Sequence, residues 1–150
     1  MTPTPIKVRD LGEIAIRCEN LDLMANYYRD VIGLEELTET REDGIVFFKI
    51  SEGFAGHTTI LALFRPDAGR PNLHPQTTEK PVAGKHSSLH HLALSVAFED
   101  QEGIMEWFDE QTIKYRVQTF DWVGWRGIFT EDPEGNTVEL VAAHPSLKVE

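Results

Sequence analysis

The sequence predicts an α+β fold built from two copies of a strand–helix–three-strand (βαβββ) module. Two stretches, Glu13–Arg17 and His91–Ser95, share one apolar alternation, and each is followed by a helical pattern and then by strand patterns. A segment rich in proline and glycine, residues 65–87, separates the copies. A repeat of this size indicates paired modules and not a solenoid. We therefore expect one domain over residues 1–150, with a first module at 11–64, a linker at 65–87 and a second module at 88–143.

The first module begins with a strand at Glu13–Cys18. Asn20 is the expected N-cap of the helix that follows, because its side chain can accept a backbone hydrogen bond. Apolar residues recur at helical spacing as far as Ile32, and Gly33 ends the helix. Three strands and a loop complete the module, at Leu34–Thr40, Ile45–Ile50, Ser51–His57 (the loop) and Thr58–Phe64.

The second module repeats this order. Leu89–Val96 alternates as a strand, and Gln101–Gln111 has a helical pattern in which Ile104, Trp107 and Phe108 share the face that we expect in the core. Three more strands are predicted, at Lys114–Phe120, Gly124–Thr130 and Thr137–Ala142. The pattern therefore predicts two equivalent sheets, each with one helix.

Composition narrows the classes of partner. Of the 150 residues 41% are hydrophobic and 26% charged, and the formal net charge of −11 disfavours nucleic acid and anionic membranes, which need a basic patch. The single cysteine, Cys18, rules out an internal disulfide and fits a reducing compartment. The sequence has no signal-peptide pattern and no apolar run near the roughly 18 residues of a membrane span. These features predict a cytoplasmic protein.

His91 is the first candidate functional residue. If Leu92 and Leu94 pack against a helix, then His91, Ala93 and Ser95 face the other way. The imidazole then lies on a surface otherwise lined by small side chains, where a ligand or metal has room. The alternative is an ordinary hydrogen-bonded histidine.

Glu139 is the second candidate, inside the apolar strand Thr137–Ala142. A carboxylate that is buried without a partner costs free energy, so this position favours a metal or a cation beside it. The alternative is a carboxylate that faces water at the edge of a sheet.

Three sequence motifs occur in a fixed order: Ala25–Leu34 (ANYYRDVIGL), His90–Leu94 (HHLAL), and Asp132–Asn136 (DPEGN) followed by Val138–Leu140. Together with the duplicated modules, they resemble the vicinal oxygen chelate superfamily, which includes glyoxalases, bleomycin-resistance proteins and extradiol dioxygenases. The resemblance extends from about Leu11 to Ala143. It implies a split barrel of the glyoxalase/dioxygenase type around one site, and a homodimer.

The resemblance also implies a metal site with ligands from the first and last strands of each module. Matched by position, these are Glu13, either Leu61 or Ala62, His91 and Glu139. The fourth position offers no ligand, and Glu13 stands where the family usually has histidine. One imidazole and two carboxylates suit one divalent transition metal, which would be Fe, Mn, Zn, Ni or Co.

The implied function is a metalloenzyme that binds a small, vicinally oxygenated substrate on the metal. Lyase, isomerase and dioxygenase chemistry all remain open, with Glu13 as a metal ligand, a proton-transferring catalytic residue, or a plain surface residue. The ring-cleaving enzymes often have tyrosine where Phe129 stands, which disfavours that chemistry. A different class also fits: a metal-free protein of the bleomycin-resistance type that binds or sequesters a small molecule.

Four further residues are candidate substrate contacts. Arg17 shares a face with Glu13 and could clamp a carboxylate or phosphate, or instead form an ion pair with Glu13 or Glu139. Ser95 lies on the face of His91. Trp125 and Phe129 alternate on one strand and line an apolar pocket, or else belong to the core.

Overall fold

A computed structural model describes residues 10–11, 13–54, 57–68 and 91–149. The chain divides into two compact units, residues 1–76 and 77–150. The predicted linker lies outside the described residues from position 69 onward, as does His90. Within the described part of the chain, no helix is both long enough and apolar enough to cross a membrane.

The first unit contains one helix and one four-stranded sheet. The elements are β1 (Glu13–Arg17), α1 (Leu21–Asp30), β2 (Glu35–Glu36), β3 (Ile45–Phe54) and β4 (His57–Phe64). The strand order is β1-β4-β3-β2, with β1 parallel to β4 and the other pairs antiparallel. The predicted βαβββ order of this module is therefore confirmed.

Local sequence signals set the limits of α1. The Asn20 side chain accepts a hydrogen bond from the backbone amide of Leu23 at 3.0 Å, as predicted for an N-cap. Gly33 follows the helix with φ +81°, a conformation that glycine adopts without strain. Met24 and Tyr28 are fully buried on the helix face that packs on the sheet. Cys18, which directly follows β1, is also buried, with 3% of it exposed.

Two predicted boundaries in this unit are wrong. The expected loop Ser51–His57 is mostly strand, because β3 continues to Phe54 and β4 begins at His57. The pairing of β3 with β4 is irregular over the stretch from Lys49 to Phe54. Gly53 lies in this stretch, so this glycine marks a bulge in a strand. The expected strand Leu34–Thr40 shortens to two residues, since the hydroxyl of Thr38 accepts the Phe47 amide in place of a ladder bond.

The second unit repeats the first. Its elements are β5 (Leu92–Ser95), α2 (Gln101–Glu110), β6 (Arg116–Phe120), β7 (Trp125–Glu131) and β8 (Thr137–Ala143), with short 3-10 turns at Phe98–Asp100 and Pro145–Leu147. The strand order is β5-β8-β7-β6, and β5 is parallel to β8. Each predicted element is present within a few residues of its expected ends. In this sheet β8 is an interior strand.

Helix α2 is attached to its sheet differently from the prediction. Phe108 is buried as expected, but Trp107 is 38% exposed and its placement in the core is wrong. Gln101, which the apolar pattern did not single out, is fully buried. Its amide nitrogen donates to the carbonyls of Arg126 at 2.9 Å and Leu140 at 3.2 Å. A polar side chain therefore joins α2 to β7 and β8.

The strand registers show which residue of the first unit corresponds to Glu139 of the second. In the first unit Ala15 pairs with Ala62, and in the second unit Ala93 pairs with Glu139. Since Ala15 and Ala93 are equivalent in the repeat, Ala62 is the counterpart of Glu139. The choice between Leu61 and Ala62 is thus resolved, and Ala62 is fully buried.

Candidate metal site

The first strand of the second unit presents His91 as its alternation predicts. Leu92 and Leu94 are 5% and 7% exposed and lie on the side of the helix. His91, Ala93 and Ser95 are exposed on the opposite face. We call this the open face of the second sheet.

Glu139 of β8 lies beside His91 on the open face. The Nε2 atom of His91 is 3.1 Å from Oε2 of Glu139. The two side chains differ in burial, since 35% of the His91 side chain is exposed but only 8% of that of Glu139. The position of β8 between β5 and β7 does not fit the alternative in which Glu139 faces water at a sheet edge.

The donor atoms of His91 and Glu139 fit a divalent metal. Metal–ligand bonds of about 2.1 Å place adjacent ligands of an octahedral ion about 3 Å apart, close to the observed 3.1 Å. An imidazole nitrogen and a carboxylate oxygen both suit first-row transition metals. The same separation also suits a direct hydrogen bond between the two side chains.

Gly127 of β7 leaves space for the Glu139 carboxylate. A Cβ atom at this position would lie 2.7 Å from Cε2 of Phe129 and 3.1 Å from Cδ of Glu139, and closer still to its Oε1. Real Cβ atoms do not approach other atoms so closely. The backbone of β7 therefore forms one side of a cradle that holds the carboxylate beneath His91.

Phe129 forms the apolar wall of this site. It pairs with Glu139 across β7 and β8, is 8% exposed, and its ring centroid is 6.3 Å from that of His91. Trp125 is 48% exposed at the start of the same strand. Ser95 is exposed at the end of β5. Because side chains alternate between the two faces of a strand, Ser95, Trp125 and Phe129 all lie on the open face. These are the candidate substrate contacts of the second unit.

Sequence reasoning missed the contribution of β6 to this face. Arg116 pairs with Phe129, and its guanidinium carbon is 4.2 Å from the centre of the Phe129 ring. Phe120 also contacts that ring, at 6.4 Å between centroids. The register of the β6–β7 hairpin decides these contacts. It depends on the turn at 121–124, whose residues form no strong hairpin signature.

The first unit holds Arg17 and Glu13. The Nη1 atom of Arg17 donates to the backbone carbonyls of Arg65 (3.2 Å), Pro66 (2.9 Å) and Ala68 (3.2 Å). In the described structure this arginine therefore fixes the chain that leaves β4. Glu13 is exposed at the start of β1.

Among the residues that the structure describes, no cluster of three or more His, Cys, Asp or Glu side chains is close enough to hold a metal. The second unit contributes a pair of donors. A separate open concavity of about 660 Å³ lies at the end of α2, between Asp109 and Tyr115, and shares no residue with the His91 site.

A βαβββ module that occurs twice, with a histidine beside a carboxylate of the last strand in its second copy, is typical of a glyoxalase-type protein. Residues 10–140 match the model of the Glyoxalase/Bleomycin resistance protein/Dioxygenase superfamily. The chain belongs to this superfamily. No curated protein sequence matches it significantly.

Solved structures agree on the fold. A glyoxalase/dioxygenase from Nostoc punctiforme is 23% identical, with a TM-score of 0.65 over 96% of this chain and 97% of that one. Lactoylglutathione lyase from Agrobacterium tumefaciens is 21% identical, with a TM-score of 0.63 over 93% and 96%. The fosfomycin resistance protein FosX from Listeria monocytogenes is 14% identical, with a TM-score of 0.61 over 95% and 100%. At these identities the likeness establishes the glyoxalase-type fold alone.

Proposed function

We propose that this protein is a divalent-metal enzyme acting on a small molecule that carries two neighbouring oxygens. The proposed ligands are His91 and Glu139, with Glu13 as the third ligand that the family resemblance implies. The observation that supports the proposal is the 3.1 Å approach of His91 Nε2 to Glu139 Oε2 on an exposed sheet face. Two carboxylates would balance the charge of a divalent ion, and three ligands would leave positions of an octahedral ion for the substrate.

The role proposed for each side chain of the site follows from how deeply it is buried. A bound Fe, Mn, Zn, Ni or Co ion would supply Lewis acidity toward a substrate oxygen. Glu139 stays fixed in its cradle, whereas the exposed edge of His91 leaves room for the substrate. Phe129 keeps water from one side of the site, and Glu13, when it is not bound to the metal, would take a proton from the substrate and return it. Since Phe129 has no hydroxyl, proton-transfer chemistry of the lyase or isomerase type is favoured over ring cleavage.

Metal analysis tests the proposal. The chain is purified without chelator and analysed for first-row transition metals, in parallel with His91→Ala and with Glu110→Gln, a control at an exposed position on α2. We expect about one metal per chain in the native protein and in Glu110→Gln, and loss of the metal in His91→Ala. Native protein that stays metal-free in excess Mn²⁺, Fe²⁺, Ni²⁺ and Zn²⁺ would contradict the proposal.

A metal-free binding protein of the bleomycin-resistance type is the second candidate. The His91–Glu139 separation also fits a hydrogen bond, and Trp125 is 48% exposed on the same face. Such a protein would stay metal-free, and its tryptophan fluorescence would be quenched by an aromatic ligand. Trp125→Phe would remove that quenching, whereas Trp107→Phe on α2 would retain it.

The family resemblance further supports a homodimer, a cytoplasmic location and a small-molecule substrate. Light scattering of the purified chain tests the first of these expectations. A mass of twice 17.0 kDa is expected, and a mass of 17.0 kDa would contradict it.

A further inference from the structure

Arg116 is a cation on the open face that has no acidic partner among the residues that the structure describes. Its side chain is exposed, and its Nη1 atom donates to the neutral Oε1 of Gln118 at 2.9 Å. Among the described residues, no carboxylate lies within ion-pair distance of it. In a chain with 25 acidic and 14 basic side chains, such a cation is unusually placed.

Arg126, on the neighbouring strand but on the helix side of the sheet, shows the contrast. Its Nε donates to Gln101 at 2.7 Å, and its Nη1 pairs with Glu102 at 3.1 Å. The two arginines belong to one hairpin, and among the described residues the arginine on the helix side has a carboxylate partner, whereas Arg116 has none within ion-pair distance.

Phe129 and Gln118 hold the Arg116 guanidinium in place. It lies 4.2 Å from the centre of the Phe129 ring, which is a cation–π contact, and Gln118 accepts one of its hydrogens. A guanidinium stacked in this way presents its remaining N–H groups as a rigid fork, which matches carboxylate and phosphate oxygens. The opposite edge of the site is formed by His91, whose ring also contacts Phe129, at 6.3 Å.

We propose that Arg116 binds an anionic group, a carboxylate or a phosphate, of the substrate whose neighbouring oxygens bind at His91 and Glu139. Phe129 lies between the two binding points and contacts both. This inference rests on the proposed function for the oxygen-binding end. The substrate class becomes small molecules that have two vicinal oxygens at one end and an anionic group at the other.

Two pairs of probe molecules measure the contribution of the anionic group to binding separately from that of the vicinal oxygens. Glycerate and 3-phosphoglycerate share their vicinal oxygens and differ by a phosphate, while 2-hydroxybutyrate and malate differ in the same way by a carboxylate. Each is titrated calorimetrically into the Mn²⁺-loaded full chain. Since charge-assisted hydrogen bonds are strong, we expect the anionic member of at least one pair to bind about tenfold more tightly. The pair that shows the difference identifies the anion.

Three variants test the residue. Arg116→Gln should make the two members of the pair bind equally, with the affinity for the uncharged-tail member unchanged. Arg116→Lys should keep part of the difference, because it retains the charge but not the fork. Lys114→Gln is the charge-matched control, since Lys114 is exposed and its side chain makes no hydrogen bond or ion pair among the described residues. It should keep the native difference.

The outcomes distinguish this inference from the proposed function. If Mn²⁺ binds but both pairs bind equally in the native chain, or Arg116→Gln leaves the difference intact, the role of Arg116 is overturned and the metal site stands. If Mn²⁺ does not bind, the proposed function fails, and the anionic probes are titrated into the metal-free protein. Binding that Arg116→Gln abolishes then supports the anion site, and binding that is absent or unaffected overturns it.

Discussion

The two units share one topology but carry different chemistry on equivalent strands. The first strand of the first unit presents Glu13 and Arg17, whereas that of the second presents His91 and Ser95. On the last strand, the second unit places Glu139 where the first has Ala62. The fold is duplicated, whereas within the described ranges the neighbouring pair of side chains able to bind a metal occurs in the second unit alone.

The units also differ in how they use charge. In the first unit Arg41 pairs with Glu36 at 2.8 Å and Asp22 at 3.0 Å, and Arg17 is bound to backbone carbonyls. On the open face of the second unit, the hydrogen-bond partner of the Arg116 side chain among the described residues is the neutral side chain of Gln118. Paired charges stabilise a fold, whereas a charge without an oppositely charged partner is available to a ligand. We therefore propose that the charges of the first set stabilise the fold and that Arg116 binds a ligand.

Removing Glu139 should have the largest effect. Loss of a ligand should weaken Mn²⁺ binding by roughly 100-fold or more, since even the outer partners of ligands are worth 10–100-fold. Calorimetric titration of Glu139→Gln and Glu13→Gln, with Glu110→Gln as the exposed control, measures this. A larger loss at Glu139 than at Glu13 is expected, because Glu139 is buried beside His91 whereas Glu13 is exposed. If all three variants bound Mn²⁺ with equal affinity, the proposal that Glu139 of the second unit is the stronger metal ligand would be contradicted.

Gln101→Ala should lower the free energy of unfolding by about 2 kcal/mol, because it leaves the carbonyls of Arg126 and Leu140 without their buried donor. Urea unfolding monitored by circular dichroism measures the change. Gln111→Ala, at the exposed end of the same helix, should stay within about 0.5 kcal/mol of the native chain. A neutral effect at Gln101 would show that this polar side chain does not help to hold α2 on the sheet.

Gly127→Ala should weaken Mn²⁺ binding by about tenfold, since the new methyl group displaces the Glu139 carboxylate, and overpacking of this kind costs about 1–3 kcal/mol. Gly103→Ala is the matched control, because nothing lies within 4 Å of a Cβ there. It should leave metal affinity unchanged and stabilise α2 by up to about 1 kcal/mol. If Gly127→Ala bound Mn²⁺ as tightly as the native chain does, the proposal that Gly127 leaves space for the Glu139 carboxylate would be contradicted.

Glu36 should give the first unit an acid-sensitive ion pair. The hydrogen bond from Arg41 lowers the pKa of Glu36 below its ordinary 4.5, although burial acts in the opposite direction. A lowered pKa in the folded state stabilises the protein above pH 4.5, and that stabilisation is lost as the pH falls through the folded pKa.

Glu36→Gln should therefore lower the free energy of unfolding by about 1 kcal/mol at pH 7 and by almost nothing at the acidic end of the pH range. Denaturant unfolding between pH 3 and 7 measures the difference. The exposed neighbour Glu35, changed to Gln, serves as the control. A difference between Glu36→Gln and the native chain that did not vary with pH would contradict this assignment.

Periodicity was sufficient to predict the modules, the N-cap at Asn20 and the outward phase of His91, because each of these depends on neighbours within a few residues. Boundaries near Gly53 were wrong because a glycine in a bulge and a glycine in a loop look alike in sequence. Gln101 and Arg116 were missed because their roles come from partners on other strands, Leu140 and Phe129. Contacts of that kind depend on strand register, which short-range patterns do not specify.

We propose that the imidazole of His91 and the carboxylate of Glu139 bind one divalent metal ion on the second sheet. Electron spin-echo modulation spectroscopy of the full chain loaded with one equivalent of Mn²⁺ tests it most directly, since it detects nitrogen bound to the ion. We predict modulation from a single imidazole nitrogen that disappears in His91→Ala. A loaded native chain without nitrogen modulation, or modulation that His91→Ala leaves intact, would contradict the claim.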